Sequence, residues 1–250
     1  MALTRTIYGQ KIYVDTRDMS LAPHILMGGH WEPWITKVFI DLVRPGMSVV
    51  DIGANVGWYS LLAGAAIGPS GHLTSFEANP RLADLLHRSL AVNGLLDDSV
   101  VEPKAVYSET KMLDFKIYDR FMGGSGLFAS EGGADHFRDH VTAIQVQAVA
   151  LDDYFKPGSK VDFIKIDAEG AEPFILQGAR RVLSDNRKIV IMMEFSSGSI
   201  ASSYGSIEKF HADMSALGFS IWRIDYHSKL IPMTPQDLSS APLCDLVLKR

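Results

Sequence analysis

The sequence predicts an α/β fold: a doubly wound, mostly parallel seven-stranded sheet carrying an antiparallel insertion and preceded by an N-terminal cap. Three observations predict it. From residue 46 onward, short β-rich apolar runs alternate with segments of helical period, the pattern of parallel strands joined by crossover helices. The first run leads into a glycine turn, Asp51-Ile52-Gly53-Ala54-Asn55-Val56-Gly57, which opens the next helix. Between residues 111 and 150 the alternation gives way to two stretches of period two around Gly123-Gly124-Ser125-Gly126, the signature of a hairpin-like insertion.

The elements follow in order. Residues 47–52 form the first strand and residues 57–66 the first helix, which stops near Gly68-Pro69. Residues 72–76 form the second strand. Asn79 then caps a helix with Pro80 at its first position, and Asn93-Gly94 ends it. Residues 100–106 read as the third strand, and 112–118 with 143–149 as the antiparallel insertion. Residues 161–166 are the fourth core strand, 173–183 its helix and 189–195 the fifth strand. A helix over 207–217, closed by Gly218, precedes strands 219–224 and 243–248. Residues 1–45, with Trp31 and Trp34, form the cap or lid; residues 46–250 form the main domain.

Composition bounds the function. Of 250 residues, 47% are hydrophobic and 21% charged, close to averages for soluble globular chains. A net charge of −5 gives no general affinity for a phosphate backbone, so a nucleic-acid partner is not expected. The single cysteine, Cys244, excludes an internal disulfide and a Cys-rich metal site. The N-terminus has no apolar signal region, and no apolar run approaches the roughly 18 residues of a membrane span. A cytoplasmic location and no membrane partner are expected.

Three motifs carry chemistry. In the glycine turn, the residue two after Gly53 is Asn55, whereas a dinucleotide fingerprint places a glycine there to admit a pyrophosphate. A smaller ligand is implied, such as an aminoacyl group meeting backbone groups and Asp51; the alternative is a tight turn without a ligand. Glu77 ends the second strand, where a carboxylate can accept bonds from vicinal ribose hydroxyls, or merely favour the dipole of the next helix. Asp167, in Ile164-Lys165-Ile166-Asp167-Ala168-Glu169-Gly170, ends the fourth strand. It can support an acceptor, act as a general base or bind a divalent cation. Lys165, two residues back, points to the same face. Glu172 reads as a helix cap.

Together these blocks resemble the FkbM family of methyltransferases. The matching stretches are VVDIGANVGWYSLLAG, SFEANP, LAVNGL, VDFIKIDAEGAE and IVIMMEF, with HWEPW leading through a helix to RPG. The resemblance implies a class I, Rossmann-like methyltransferase using S-adenosyl-L-methionine, and mostly O-methylation of polyketides, sugars or other natural-product hydroxyls. It places Asp51, Gly53, Asn55 and Gly57 around the methionine moiety, Glu77 on the ribose with Asn79 nearby, and Ala105 and Val106 beside the adenine. Ser125 approaches the same cleft and Asp167 lies near the transferring methyl. The acceptor is then a small molecule bearing a hydroxyl, whose proton a base or a metal must take. Candidate bases are Asp167, Glu169, Glu194 (ending the fifth strand), His30 and His211, with His30 read chiefly as structural and no metal expected. Gly28-Gly29 is a plausible hinge for the lid. A homodimer is left open, as is the alternative of N-methylation of a small molecule or a non-catalytic nucleotide-binding module.

Overall fold

The computed structural model describes residues 1–129 and 139–250; residues 130–138 of the insertion lie outside them. The chain opens with a hairpin, β1 (Ala2–Arg5) and β2 (Lys11–Val14), and two helices, α1 (Ala22–Gly28) and α2 (Pro33–Leu42). The glycine turn joins β3 (Ser48–Ile52) to α3 (Trp58–Ile67). Next come β4 (His72–Phe76), α4 (Pro80–Val92), β5 (Ser99–Glu102) and β6 (Ala105–Val106). The insertion holds β7 (Lys111–Tyr118) and β8 (Val141–Val149), and α5 (Leu151–Tyr154) leads to β9 (Phe163–Ile166). The rest is α6 (Glu172–Gln177), α7 (Arg180–Asp185), β10 (Val190–Phe195), α8 (Ser197–Tyr204), α9 (Ile207–Ala216), β11 (Ser220–Ile224), β12 (Leu230–Pro232), α10 (Pro235–Ser240) and β13 (Cys244–Lys249).

The main sheet runs β12-β11-β13-β10-β9-β3-β4-β5. The pairs from β10 to β5 are parallel, while β13 is antiparallel to both β10 and β11. The architecture is the expected doubly wound α/β sheet, with one strand more than the seven predicted: the short edge strand β12 pairs with β11. β12 ends in Pro232, which only an edge tolerates, and at three residues it is too short to show a strand period.

The third predicted strand divides. Pro103 has no N–H and constrains the residue before it. The main sheet therefore keeps Ser99–Glu102, and Ala105–Val106 turn away to pair with β8 in parallel. β7 and β8 pair antiparallel over eight residues, as the period-two pattern implied. The helix expected over 173–183 also divides, because Gly178 leaves the helical ladder: its carbonyl accepts from the Asp152 N–H at 2.9 Å. A side chain at Gly178 would strike the Tyr107 carbonyl.

Alternation along the strands separates two cores. Val50, Ile52, Ile164, Ile166, Ile191 and Met193 pack with α6, α7 and α9. Val49, Phe163, Met192 and Val247 face the other way, against α2, α3, α4 and the N-terminal residues Ile12, Val14, Leu21 and Ile25. The N-terminal segment thus shares the core of the sheet's second face.

Candidate active site

Strand order reverses between β3 and β9, and doubly wound sheets bind ligands outside the carboxyl ends of their strands at that point. The two strand ends come very close there. A Cβ on Gly53, whose φ is +75°, would stand 1.7 Å from the Asp167 carbonyl oxygen. Glycine at 53 is thus demanded by the chain's own backbone. Gly57, at φ +97°, is demanded by packing: a Cβ would meet Leu86 Cδ1 of α4 at 2.4 Å.

Between these glycines, Asn55 takes a left-handed φ of +51° and aims its N–H at Glu77 Oε2 (2.7 Å). The Asn79 N–H donates to Glu77 Oε1, also at 2.7 Å, while the Asn79 side chain caps α4 through the Arg81 N–H. The Glu77 carboxylate is therefore held by one backbone donor on each oxygen, and each oxygen keeps a further acceptor site. Burial raises its pKa to about 7 against those bonds. Glu77 lines a solvent-open cleft of about 540 Å³, walled by Gly53, Asn55, Ser125 and Asp167 and lined on its apolar side by Ala105, Val106, Phe115 and Leu127. Ser125 Oγ accepts from the Tyr118 N–H at 3.1 Å, which braces the glycine loop of the insertion over this cleft.

The cleft continues past Gly53, Asn55, Gly123, Asp167 and Glu169 into a second compartment, whose wall includes Trp31, Glu32, Tyr59 and Glu194. Here the sheet carries a polar layer. Register sets Asp51 beside Lys165 and Glu194 beside Asp245, all on the face covered by α2 and α3. Lys165 is fully buried; its Nζ donates to Asp167 Oδ2 (3.2 Å), lies 3.8 Å from Asp245 Oδ1 and sits over the Tyr59 ring at 5.1 Å. The Tyr59 hydroxyl donates to Glu32 Oε2 at 2.8 Å.

Burial and mutual repulsion keep protons on these acids. The pKa of Glu194 is pushed up to about 9, that of Glu169 to about 8 and that of Glu32 to about 7, in each case first by desolvation and next by the charge of Asp167. Asp245 rises to about 6 through burial, with Lys165 opposing. Backbone strain marks the same place. Among the described residues, four that are not glycine have positive φ, and three of them, Glu32, Asn55 and Glu169, line the cleft. Such outliers persist only where the surroundings enforce them. Among the described residues, no group of three His, Cys, Asp or Glu is disposed to hold a metal ion.

Comparison with known proteins settles the family. A family model described as the methyltransferase FkbM domain matches residues 51–221, more than half of the chain. The chain belongs to the FkbM methyltransferase family. The protein-L-isoaspartate O-methyltransferase of Methanothrix thermoacetophila is 30% identical over 82 residues, 30% of this chain and 39% of its own length. The ribosomal RNA large subunit methyltransferase E of Stutzerimonas stutzeri is 25% identical over 150 residues, 60% of this chain and 68% of its own. The methyltransferase sdnD of Sordaria araneosa is 27% identical over 154 residues, 52% of this chain and 59% of its own. The chain thus spans well under two thirds of the length of two of these three relatives. A solved FkbM methyltransferase from Methylobacillus flagellatus superposes with a TM-score of 0.51 at 14% identity, over 84% of this chain and 49% of that one, and so shares the fold.

S-adenosylmethionine is the cofactor of this methyltransferase family, and the cleft fits it. An aimed, buried carboxylate with open acceptor sites, Glu77, stands next to an apolar slot of the kind a purine fills. The structure brings Gly53, Asn55, Glu77, Ala105, Val106, Ser125 and Asp167 to the cleft, and Glu169 and Glu194 to its second compartment. It sets others behind the wall. The Asp51 side chain accepts from Ser60 Oγ at 2.6 Å and is buried, whereas Gly57 and Asn79 hold α3 and α4 in place. His30 lies half-buried beside Gly28, and His211 lies on α9 near Ser215; neither lines the cleft. Glu172 grips the turn before α6, accepting the Ala168 N–H at 2.9 Å. Sequence reasoning missed Glu32, Tyr59 and Asp245. For Asp245 the only available signal was an acid within an apolar final strand; for Glu32 it was the neighbouring Trp31 and Trp34.

Proposed function

We propose that this methyltransferase acts on a hydroxyl oxygen of a small molecule such as a sugar or a polyketide. The observation that carries the reading is the convergence of Asp167, Glu32, Glu169 and Glu194 on the compartment adjoining the cofactor cleft. An alcohol must lose a proton as its oxygen attacks carbon, and a carboxylate lining that compartment is the group that can take it. S-adenosylmethionine, when bound, supplies a methyl group on a sulfonium leaving group.

The chain's own residues do the rest. Glu77 would hold the ribose hydroxyls, with Ala105, Val106 and Phe115 against the adenine, and Gly53 and Asn55 would border the methionine moiety. Asp51 and Asn79 keep that turn and Glu77 in place from behind. Asp167, one-third exposed and lining both compartments, accepts the acceptor's proton. Proximity and orientation of two bound reactants contribute roughly 7–11 kcal/mol in such reactions. In this reading residues 1–45 act as the lid: the Gly123 N–H donates to Ser20 Oγ (2.9 Å) and the Met122 N–H to Asp18 Oδ1 (3.2 Å), tying the segment to the loop over the cleft.

The test is turnover. With S-adenosylmethionine and matched panels of hydroxyl- and amine-bearing sugars and polyketides, S-adenosylhomocysteine is expected with the hydroxyl panel, and a methyl ether in the product by NMR. EDTA is expected to leave the rate intact. Turnover confined to the amine panel or to ribosomal RNA fragments would refute the proposal.

A further inference from the structure

Lys165 is the cation of the polar layer, and its side chain is fully buried. It occupies the middle of an otherwise apolar buried strand, Phe163–Ile166, where a leucine would serve packing better. A buried ammonium survives only when paired, and removing its partners or itself leaves uncompensated charge. Its surroundings come from every element packed against it: Asp51 from β3, Tyr59 from α3, Glu32 from the start of α2, Asp167 from the end of β9, Glu169 from the turn after it, Glu194 on the same face of β10 and Asp245 from β13. Among these, only Asp167 receives a hydrogen bond from Lys165 Nζ within 3.5 Å, and it does so through Oδ2. Asp245 stands at 3.8 Å on the other side, and the Tyr59 ring closes the third direction at 5.1 Å.

We propose that Lys165 is the positioning residue of the reaction: its ammonium, backed by Asp245 and the Tyr59 ring, pins Oδ2 of Asp167 and leaves Oδ1 toward the cleft. This rests on the reading of Asp167 as proton acceptor. Four carboxylates line one compartment, and the single enclosed cation beside it bonds to one of them and fixes how that one is aimed. Glu32 accepts a hydrogen bond from the Tyr59 hydroxyl and none from the ammonium. Glu169 and Glu194 have no bond to it, and burial keeps their protons on. The acceptor's proton goes to Asp167 Oδ1, and Lys165 keeps all three of its own.

The experiment compares Lys165→Met, Lys165→Arg, Asp245→Asn and Asp167→Asn with the unaltered protein, each checked for folding by circular dichroism. Lys165→Met is expected to lower kcat by up to about 10²-fold, the cost of a misplaced reacting group, with KM for S-adenosylmethionine within a few-fold. The titrations of Asp245, Glu32 and Glu169 move to higher pH, because Lys165 holds down their pKa values. Carbon-13 NMR of labelled carboxyl groups reads the same upward movement for the cluster without any turnover. Lys165→Arg restores much of the rate, and Asp245→Asn shows a smaller loss of the same kind. Should Lys165→Met not fold, Lys165→Arg and Asp245→Asn carry the test through the same titrations. Unmoved carboxyl titrations in Lys165→Met, or in both milder variants, would overturn the proposal. Full activity in Asp167→Asn removes the base reading instead, and the carboxyl titrations then still decide whether Lys165 governs the cluster.

Discussion

The two halves of the cleft are built on opposite principles. In the cofactor half, each polar group is satisfied locally. Glu77 is gripped by the backbone of Asn55 and Asn79, and Asn79 in turn caps the helix that follows it. In the other half, which the proposal gives to the acceptor, the polar groups come from α2, α3, β9, β10 and β13 and the acids outnumber their donors: one lysine and one tyrosine are shared among Glu32, Asp167 and Asp245. The first half is prearranged by short-range geometry to recognise one constant ligand. The second stores electrostatic tension, of the kind that places a titratable group near its working pH.

That contrast can be broken most directly at Asp167. Asp167→Asn is expected to lose roughly 10²–10⁴ in turnover, the usual worth of a positioned base, while binding S-adenosylmethionine within a few-fold of the original. Single-turnover rates and calorimetry measure the two quantities; a large loss of affinity with little loss of rate would place Asp167 in the cofactor half instead. Glu77→Ala should do the reverse. Each of its charge-assisted bonds to a ribose hydroxyl is worth about 1.5–3 kcal/mol before solvent competition. Calorimetry should therefore show cofactor affinity falling about ten- to a hundredfold in a chain that still folds, and unchanged affinity would deny Glu77 its role.

The smallest effect sharpens the comparison through pH. Glu32, Glu169 and Glu194 have folded-state pKa values raised above 4.5, to about 7, 8 and 9. Their protonated forms favour folding, so this contribution is complete below their unfolded pKa and is lost as pH rises through 7 to 9. The melting temperature of the cofactor-free protein should fall by at least a few degrees between pH 6 and pH 9, since each kcal/mol is worth about 2–4 °C. Scanning calorimetry of the protein and of Glu194→Gln checks this; a slope that is the same in both would show that Glu194 does not carry the tension.

Much of the fold was legible in the residues. The alternation of apolar strands with helical segments, the glycine turn and the period-two insertion each express a local rule, and each reappears in the sheet order and pairing. The strand that broke at Pro103 and the helix that broke at Gly178 also carried their punctuation openly, although the direction each chain took afterwards depended on β8 and on Asp152. Gly53 and Gly57 were legible as glycines but for a different reason than the one they serve. A turn pattern suggests room for a ligand, whereas the Asp167 carbonyl and the Leu86 side chain are what fill the space.

The sequence by itself determined the doubly wound sheet, the glycine turn and the placing of Glu77 and Asp167 at strand ends, because these follow from hydrophobic period and short-range chain geometry. Only the tertiary structure decided that Asp51 turns inward to Ser60, that His30 stays aside, and that Glu32, Tyr59, Lys165 and Asp245 meet. Glu32 and Asp245 lie more than two hundred residues apart in the chain, and no local rule joins them. Their meeting follows from the register of an antiparallel last strand and from the docking of α2 on the sheet, where burial and Coulomb forces act across elements and not along them.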